Sequence, residues 1–253
     1  MIRILYASVL VGILSGEWEV ISHHPRIYVH DNFFSNEECD ALISRGNRTL
    51  SKTGHSVTSH ENNAKRTGST AFYPKLDQDW SLPLRIRIHN AAKIPLPQGY
   101  GLQVRSYNET DFYSFHPDSG PWEHSAMTAT FLVFLNDLKK GGETVFPMAD
   151  KKWRKKSLDN MWKLFNWKPR SFKNYCKNKV DSVVHVKPKK GRALLFYNHD
   201  VDGEFNPHSI HGGCPPGEGE KKYIAVQWMG AEKVLPRAVP PVTDIDLSYK
   251  VEL

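Results

Sequence analysis

The chain has 253 residues, a length that suits one large domain or two small ones. Hydrophobic residues make up 40% of the sequence and charged residues 24%, which excludes a fibrous or wholly disordered protein. The net charge of +7 comes from residues 151–180, which hold eleven basic side chains and one acidic one. Because the rest of the chain is slightly acidic, its charge does not argue for a protein that binds nucleic acid.

The first residues are typical of a secretory signal. Arg3 precedes a mostly apolar run over residues 4–14, and the small residues Ser15 and Gly16 follow it. This run is shorter than the roughly 20 residues that cross the hydrocarbon core of a bilayer. We therefore expect residues 1–17 to be a signal peptide or a short signal anchor, and expect no other contact with a membrane.

Two helices are predicted in the first 98 residues. A strand-like run covers residues 26–30. Ser35 and Glu38 then have the spacing of a capping box, and the helix that they begin has an apolar face of Cys39, Leu42 and Ile43. A second helix is predicted over residues 82–93, where two prolines end it.

From residue 101 the pattern changes to short runs of β-branched and aromatic residues separated by turns, which is typical of a β-sandwich or barrel. The predicted strands cover residues 102–107, 112–116, 128–135, 182–186, 192–197 and 223–228. The basic segment lies between two of these strands and is expected to be helical over residues 157–165. We interpret it as a solvated loop over the mouth of the site, not as a surface for nucleic acid.

The end of the chain carries a second targeting signal. Three prolines predict that residues 233–253 are an extended tail. The tail closes on Lys-Val-Glu-Leu, one position away from the Lys-Asp-Glu-Leu retrieval signal, which indicates the endoplasmic reticulum lumen. An accidental tail is the alternative. Glycosylation sequons at Asn47 and Asn108 agree with a secreted glycoprotein.

Three residues have the pattern of a metal site. On a strand, His116 and Asp118 point to the same face, so both can bind one ion. His211 would complete a set of two histidines and one carboxylate, which occupies one face of Fe(II) and leaves positions open. The same ligand types also suit a zinc hydrolase. His208 is the alternative to His211.

A lysine follows the third ligand at the start of a predicted strand. Inside a dry barrel Lys222 needs a carboxylate partner. A diacid that chelates iron at one end would offer its distal carboxylate there. This requirement favours iron and a diacid co-substrate over zinc hydrolysis.

Taken in order, these motifs resemble the prolyl 4-hydroxylase family of Fe(II)- and 2-oxoglutarate-dependent dioxygenases. The resemblance runs from about residue 25 to residue 228, and its segments are residues 33–39, 66–69, 102–107, 113–118, 131–135, 141–147, 187–196 and 211–228. It implies a mainly β fold with supporting helices (α+β) around a double-stranded β-helix, or jelly roll, core. The domain would cover residues 18–232, with a supporting part at 18–98 and the core at 99–232, interrupted by the basic insertion at 149–180.

The resemblance also implies the roles of the site residues. Iron would be bound by His116, Asp118 and His211. Lys222 would pair with the distal carboxylate of 2-oxoglutarate, Tyr107 and Thr144 would support it, and Tyr113 and Trp228 would line the peptide side. L-ascorbate is implied as a further cofactor. Lys221 is the rival of Lys222, because one residue is inserted just before them, and strand alternation would point only one of the two inward.

Two structural features come with the same resemblance. Cys176 and Cys214 would form a disulfide between the insertion and the loop of the metal site, while Cys39 stays unpaired in its helix. Gly212 and Gly213 would permit a tight turn beside His211 through their freedom in φ.

The implied activity is that of a peptidyl-proline 4-hydroxylase, which uses O2 and 2-oxoglutarate to hydroxylate proline in peptides or proteins and releases succinate and CO2. One departure concerns the substrate: Met127 stands where many relatives have an arginine directed at the peptide. Two alternatives stay open, a 2-oxoglutarate dioxygenase that acts on another residue or a small molecule, and a non-catalytic jelly roll that binds peptide. Neither the target sequence nor the oligomeric state follows from the sequence.

Overall fold

A computed structural model of the chain describes residues 17–49, 69–73, 80–96, 99–120, 127–150, 169–177 and 183–230. The predictions for the signal segment, the tail and the helix over residues 157–165 lie outside these ranges. Within them, no helix combines the length and the apolar character that crossing a membrane requires.

The described residues form eleven strands and three α-helices. The strands are β1 (Glu19–His23), β2 (Arg26–His30), β3 (Ser69–Tyr73), β4 (Leu102–Tyr107), β5 (Tyr113–His116), β6 (Ala129–Phe134), β7 (Thr144–Phe146), β8 (Val184–Val186), β9 (Ala193–Tyr197), β10 (His211–Gly213) and β11 (Lys222–Met229). The helices are α1 (Asn36–Thr49), α2 (Leu82–Ala92) and α3 (Pro169–Lys177), and a single 3-10 turn covers Pro207–Ser209.

The strands form two antiparallel sheets that face each other as a jelly roll. The large sheet has the order β1-β2-β9-β6-β11-β4-β3, and the small sheet has the order β5-β10-β7-β8. Neighbouring strands in each sheet are mostly distant in sequence, so the chain crosses repeatedly between the sheets. The predicted mainly β, jelly-roll fold is confirmed.

The large sheet is buried on both faces. Its outer face packs against α1 and α2, and alternate residues of β4 and β11, such as Val104 and Ala225, contribute to that core. Its inner face packs against the small sheet through a second core that includes Phe134, Phe146 and Phe196. One side of β11 therefore packs in the core beneath the helices, and its other side faces the space between the two sheets.

The small sheet is covered on its outer side by α3. Phe172 of this helix is fully buried against Phe112, Phe115 and Val145. The disulfide between Cys176 and Cys214 joins the end of α3 to the residue after β10. The structure thus contains the disulfide that the family resemblance implied, and Cys39 is free and buried.

Most of the predicted elements are present, and α1 begins as expected. The Ser35 amide donates to Glu38 Oε2 at 2.8 Å, and the Glu38 amide donates to Ser35 Oγ at 3.2 Å, which is the reciprocal capping box. The predicted strands appear as β2, β4, β5, β6, β8, β9 and β11. The strands β1, β2 and β3, which all precede residue 98, belong to the large sheet itself.

Candidate metal centre and its cavity

Pairing between two strands of the small sheet brings the predicted metal ligands together. β10 runs antiparallel to β5, and His211 lies directly opposite His116 in the register. Asp118 follows β5 by two residues and turns back toward both imidazoles. One potential ligand atom from each of the three side chains lies within 4.8 Å of the other two. Residues separated by 95 positions in the chain therefore form one cluster.

Hydrogen bonds fix the orientation of both histidines. Nδ1 of His116 donates to the carbonyl oxygen of Ser114 at 2.7 Å, and Nδ1 of His211 donates to that of Ser209 at 3.0 Å. A carbonyl can only accept, so each Nδ1 carries a proton, and Nε2 is the nitrogen that each histidine turns toward Asp118. The two Nε2 atoms lie 3.5 and 3.6 Å from the carboxylate oxygens of Asp118, a separation that suits ligands of one ion better than partners in a hydrogen bond.

The charge states of the cluster also favour a cation. Burial by itself would raise the pKa of Asp118, but His211, His116 and a hydrogen bond from Thr130 outweigh it and hold this pKa below its usual range. Burial lowers the pKa of His211 to about 4, although Asp118 opposes the shift. At neutral pH the cluster therefore contains a carboxylate and a neutral imidazole, the forms that bind metals.

A lysine lies at the other end of the same inner surface. Lys222 is the first residue of β11 and is 3% exposed, opposite Tyr107 of β4 in the register. Burial lowers the pKa of Lys222 to about 7, against a raising effect of Glu143. Lys221 is exposed, with its ammonium group over the ring of Tyr223. Strand alternation thus points Lys222, and not its rival, into the cavity.

Neutral donors accompany Lys222. Thr144, the first residue of β7, is 2% exposed, and its Oγ1 has no hydrogen-bond partner among the described residues. The ammonium group of Lys222 lies 5.6 Å from the centre of the Tyr107 ring and forms no salt bridge within the described part of the chain. Unpaired buried polar atoms are rare, so this end of the cavity has the donors that a bound carboxylate would satisfy.

One cavity between the sheets contains all of these groups. Its lining consists of Arg105, Tyr107, Tyr113, His116, Asp118, Thr130, Leu132, Thr144, Phe196, His211, Gly213, Lys222, Ile224, Val226 and Trp228. All eight predicted site residues belong to this lining. Tyr113 stacks on His116, with ring centres 3.4 Å apart, and Trp228 lies at the far end of β11 from Lys222.

Sequence reasoning missed two polar residues of the lining. Thr130 donates its hydroxyl proton to Asp118 Oδ2 at 2.6 Å, and Arg105 projects from β4 on the same side as Tyr107. Both occupy inward positions of strands that were correctly predicted. Each of them is separated by an even number of residues from neighbours that face inward, and this alternation could have predicted that it lines the cavity.

The other candidate histidines lie elsewhere. His208 is in the 3-10 turn with its Nδ1 beside Asn206 Oδ1 at 3.0 Å, and it does not belong to the metal-binding cluster. His199 contacts Ser119 Oγ through Nε2 at 2.9 Å. The choice of His211 over His208 therefore agrees with the geometry.

The reason for glycine beside His211 differs from the expectation. Neither Gly212 nor Gly213 is among the described residues with positive φ, so freedom in φ is not what the site requires. A Cβ at Gly212 would instead lie 2.4 Å from Phe172 Cε2, whereas the nearest atom to a Cβ at Gly213 is 3.8 Å away. The close approach of Phe172 requires glycine at position 212.

The cavity suits a ferrous ion together with a short diacid. The two imidazoles and the carboxylate are the ligand set of non-haem iron oxygenases, and all three line the cavity. The buried ammonium group of Lys222 and the unpaired hydroxyl of Thr144 would bind a carboxylate at a distance from the metal. A zinc hydrolase has no use for these last two groups.

Comparisons with known proteins agree with this reading. Residues 102–230 match the family model described as the 2OG-Fe(II) oxygenase superfamily. The chain is 32% identical over 232 residues to probable prolyl 4-hydroxylase 3 of Arabidopsis thaliana, covering 87% of this chain and 74% of that protein. It is 35% identical over 222 residues to prolyl 4-hydroxylase 5 of the same plant, covering 83% and 70%.

A solved structure shares the fold. The viral collagen prolyl hydroxylase vCPH from Paramecium Bursaria Chlorella virus-1, in its 2OG complex, superposes with a TM-score of 0.53 at 22% identity. The match covers 81% of this chain and 96% of the viral one. At this level of identity the likeness concerns the fold alone.

Proposed function

The chain belongs to the prolyl 4-hydroxylases of the 2OG-Fe(II) oxygenase superfamily, and we propose on this basis that it hydroxylates proline residues in peptides or proteins. O2 and 2-oxoglutarate are consumed, and succinate and CO2 are released. The observation that carries this function is the placement of the His116, Asp118 and His211 cluster and of Lys222 in one cavity. The carboxylate of Asp118 and the neutral imidazole of His211 are the forms that bind iron, and Lys222 and Thr144 have no carboxylate partner among the described residues.

The side chains of the cavity position the reactants. His116, Asp118 and His211 would hold Fe(II), which, when bound with 2-oxoglutarate and O2, supplies the oxidation that inserts one oxygen atom at C4 of proline. Lys222 would pair with the distal carboxylate of 2-oxoglutarate, with Thr144 and Tyr107 beside it. Apolar neighbours such as Leu132 and Phe196 exclude water from the remaining surface.

Aromatic residues supply the peptide side. Tyr113 lies flat against His116, and Trp228 lies at the opposite end of β11 from the lysine. A proline-rich substrate arrives as an extended polyproline II helix that is already ordered, so binding it on aromatic surfaces costs little conformational entropy. We place the substrate peptide over this end of the cavity.

The compartment is part of the proposal. The apolar run at residues 4–14, the sequons and the Lys-Val-Glu-Leu terminus support the endoplasmic reticulum lumen, with residues 1–17 as signal peptide or signal anchor and 233–253 as tail. The disulfide between Cys176 and Cys214 agrees with an oxidising lumen. L-ascorbate is proposed as the reductant that keeps the iron ferrous.

Met127 favours a second candidate, a 2-oxoglutarate dioxygenase that hydroxylates another residue or a small molecule. This residue lies just before β6, where the family resemblance implies an arginine directed at the peptide. A substrate that differs from that of the family would explain the replacement.

Mass spectrometry of a panel of proline peptides tests the proposal. The purified protein is incubated with Fe(II), ascorbate and 2-oxoglutarate, and succinate is measured in parallel. We expect one added oxygen atom on a particular proline, with an equal amount of succinate. An Asp118→Ala variant is the matched control and should form neither product. Succinate that no proline peptide stimulates would instead support the second candidate.

A further inference from the structure

A buried arginine lines the cavity without an acidic partner. Arg105 of β4 is 4% exposed and projects between the sheets on the same side as Tyr107. Its Nε and one terminal nitrogen donate to Oε1 of Gln103 at 3.1 and 2.8 Å. The amide of Gln103 is neutral, and Arg105 forms no salt bridge within the described residues. A buried guanidinium is stable only when its charge is compensated, so its surroundings are incomplete.

A second donor at the same place lacks an acceptor. The guanidinium of Arg105 lies 4.9 Å from the centre of the Trp228 ring. The indole Nε1 of Trp228 is buried and has no hydrogen-bond partner among the described residues. A cation and a neutral donor thus lie next to each other at one part of the cavity, and a carboxylate has enough lone pairs to accept from both.

The guanidinium of Arg105 extends away from Lys222. In the register Arg105 is opposite Ile224, two residues from Lys222, but its side chain reaches the ring of Trp228, which is six residues from Lys222 on β11. Trp228 is directly opposite Thr130 of β6 in the register, and Thr130 holds Asp118. The guanidinium of Arg105 and the ring of Trp228 therefore lie on the metal side of the cavity.

The only carboxylate in the cavity lining is already engaged. Among the described residues that line it, Asp118 alone is acidic, and its oxygens face Thr130 and the two histidines. Among the described residues, no other carboxylate of the lining compensates the charge of Arg105, which is therefore available to a carboxylate of a bound molecule.

We propose that Arg105, together with the indole N–H of Trp228, binds an acidic side chain of the substrate close to the proline that is hydroxylated. This inference rests on the proposed function and specifies its substrate class. Arg105 thus contacts the substrate and determines its specificity. Replacing Arg105 should not change the binding of iron or 2-oxoglutarate.

The test compares matched peptides on the wild-type protein. A proline peptide carries one glutamate, moved stepwise through about three residues on either side of the proline, a span of roughly 10 Å in each direction. Each peptide has a glutamine counterpart. At one glutamate position we expect kcat/KM to exceed that of the glutamine peptide by about tenfold or more, because charge-assisted hydrogen bonds are the stronger ones. Equal values at every position would overturn the proposal.

Variants assign the preference to Arg105. In Arg105→Gln the preference for glutamate should disappear, and Arg105→Lys, which keeps the charge, should restore part of it. Lys139→Gln removes an exposed cation and should retain the full preference. Peptide binding is measured in parallel by calorimetry without O2, in the presence of Fe(II) and 2-oxoglutarate, so that affinity is read apart from turnover.

The remaining outcomes are also decisive. If Arg105→Gln keeps the preference for glutamate, or raises KM for 2-oxoglutarate as much as KM for the peptide, Arg105 does not bind the acidic group. Failure of the underlying function gives a different result, because the wild-type protein would then hydroxylate no proline in any peptide of either series.

Discussion

Thr130 Oγ1 donates a hydrogen bond to Asp118 Oδ2 at 2.6 Å and so connects the large sheet to the candidate metal ligand on the other side of the cavity. Asn198 Nδ2 donates a hydrogen bond to the same Oγ1 atom at 3.3 Å. The hydrogen bond fixes the carboxylate in the orientation that faces both histidines. Outer hydrogen bonds of this kind commonly contribute a factor of about 10 to 100 to metal affinity.

We therefore expect Thr130→Val, which keeps the shape of the side chain, to weaken Fe(II) binding by about tenfold or more. The dissociation constant is measured by anaerobic titration. Thr128→Val is the matched control, because Thr128 does not line the cavity. Equal affinities for the wild-type protein and Thr130→Val would contradict the role of this hydrogen bond.

Lys222 predicts a pH dependence of 2-oxoglutarate binding. Burial lowers the pKa of Lys222 to about 7 in the free protein, and a bound carboxylate would raise it. The protonated form binds the diacid, so affinity is full below pH 7 and falls as the pH rises, by up to about tenfold per unit. Calorimetry of anaerobic iron-loaded protein between pH 6 and 9 measures this slope.

Variants separate Lys222 from its neighbour. Lys222→Met should bind 2-oxoglutarate weakly, and its affinity should not depend on pH in this range. Because the variant removes a buried charge, it should not lower Tm. Lys221→Met, which changes an exposed side chain, should behave as the wild-type protein. A pH slope that survives in Lys222→Met would show that another group titrates.

The close contact between Gly212 and Phe172 predicts a sharp difference between adjacent glycines. In Gly212→Ala the new methyl group would lie 2.4 Å from Phe172 Cε2, so either the ring or β10 with His211 must move. Overpacking of this kind usually destabilises by about 1–3 kcal/mol. We expect a lower free energy of unfolding in urea and weaker Fe(II) binding.

Gly213→Ala is the control for this effect. Its methyl group would have ordinary contact distances, the nearest atom being Lys222 Nζ at 3.8 Å. The free energy of unfolding should therefore change little. If both variants lose the same stability, backbone freedom rather than the contact with Phe172 explains the glycines.

The sequence predicts those strands and helices that are long enough to show a recognisable residue pattern. Runs of β-branched and aromatic residues predicted β4 and β11, and the capping box located the start of α1. Alternation allows only one of Lys221 and Lys222 to point inward, and the spacing to Trp228 favoured Lys222. The ligands His116, Asp118 and His211 could be proposed from residue type and spacing. That they meet in one place depends on the register of β10 against β5, which local sequence does not encode.

Two of the missed strands share a physical cause. β7 and β10 have three residues each, fewer than two periods of alternation, and they are strands because partners distant in sequence satisfy their backbone. The role of Gly212 was misread because Phe172, on a helix about 40 residues earlier, is what crowds it. Arg105 was overlooked as a polar residue in an apolar strand, although its phase already placed it beside Tyr107.

The disulfide predicts that oxidation stabilises the metal site. Cys176 and Cys214 are 38 residues apart, and closing a loop of that length restricts the unfolded chain by about 4 kcal/mol in the chain-entropy model. The bond joins α3, which packs over β10, to the residue that follows the strand of His211. Reduction, or the double variant Cys176→Ala with Cys214→Ala, should therefore lower the free energy of unfolding in urea by about 2–4 kcal/mol.

Iron binding should weaken in the same samples, because β10 is then free to separate from α3. Cys39→Ala, measured beside them, changes the free thiol of α1 and should leave the effect of reductant on Fe(II) affinity intact. If reduced and oxidised protein bind Fe(II) equally and unfold at the same urea concentration, the small sheet holds His211 in place without its covalent link to the helix.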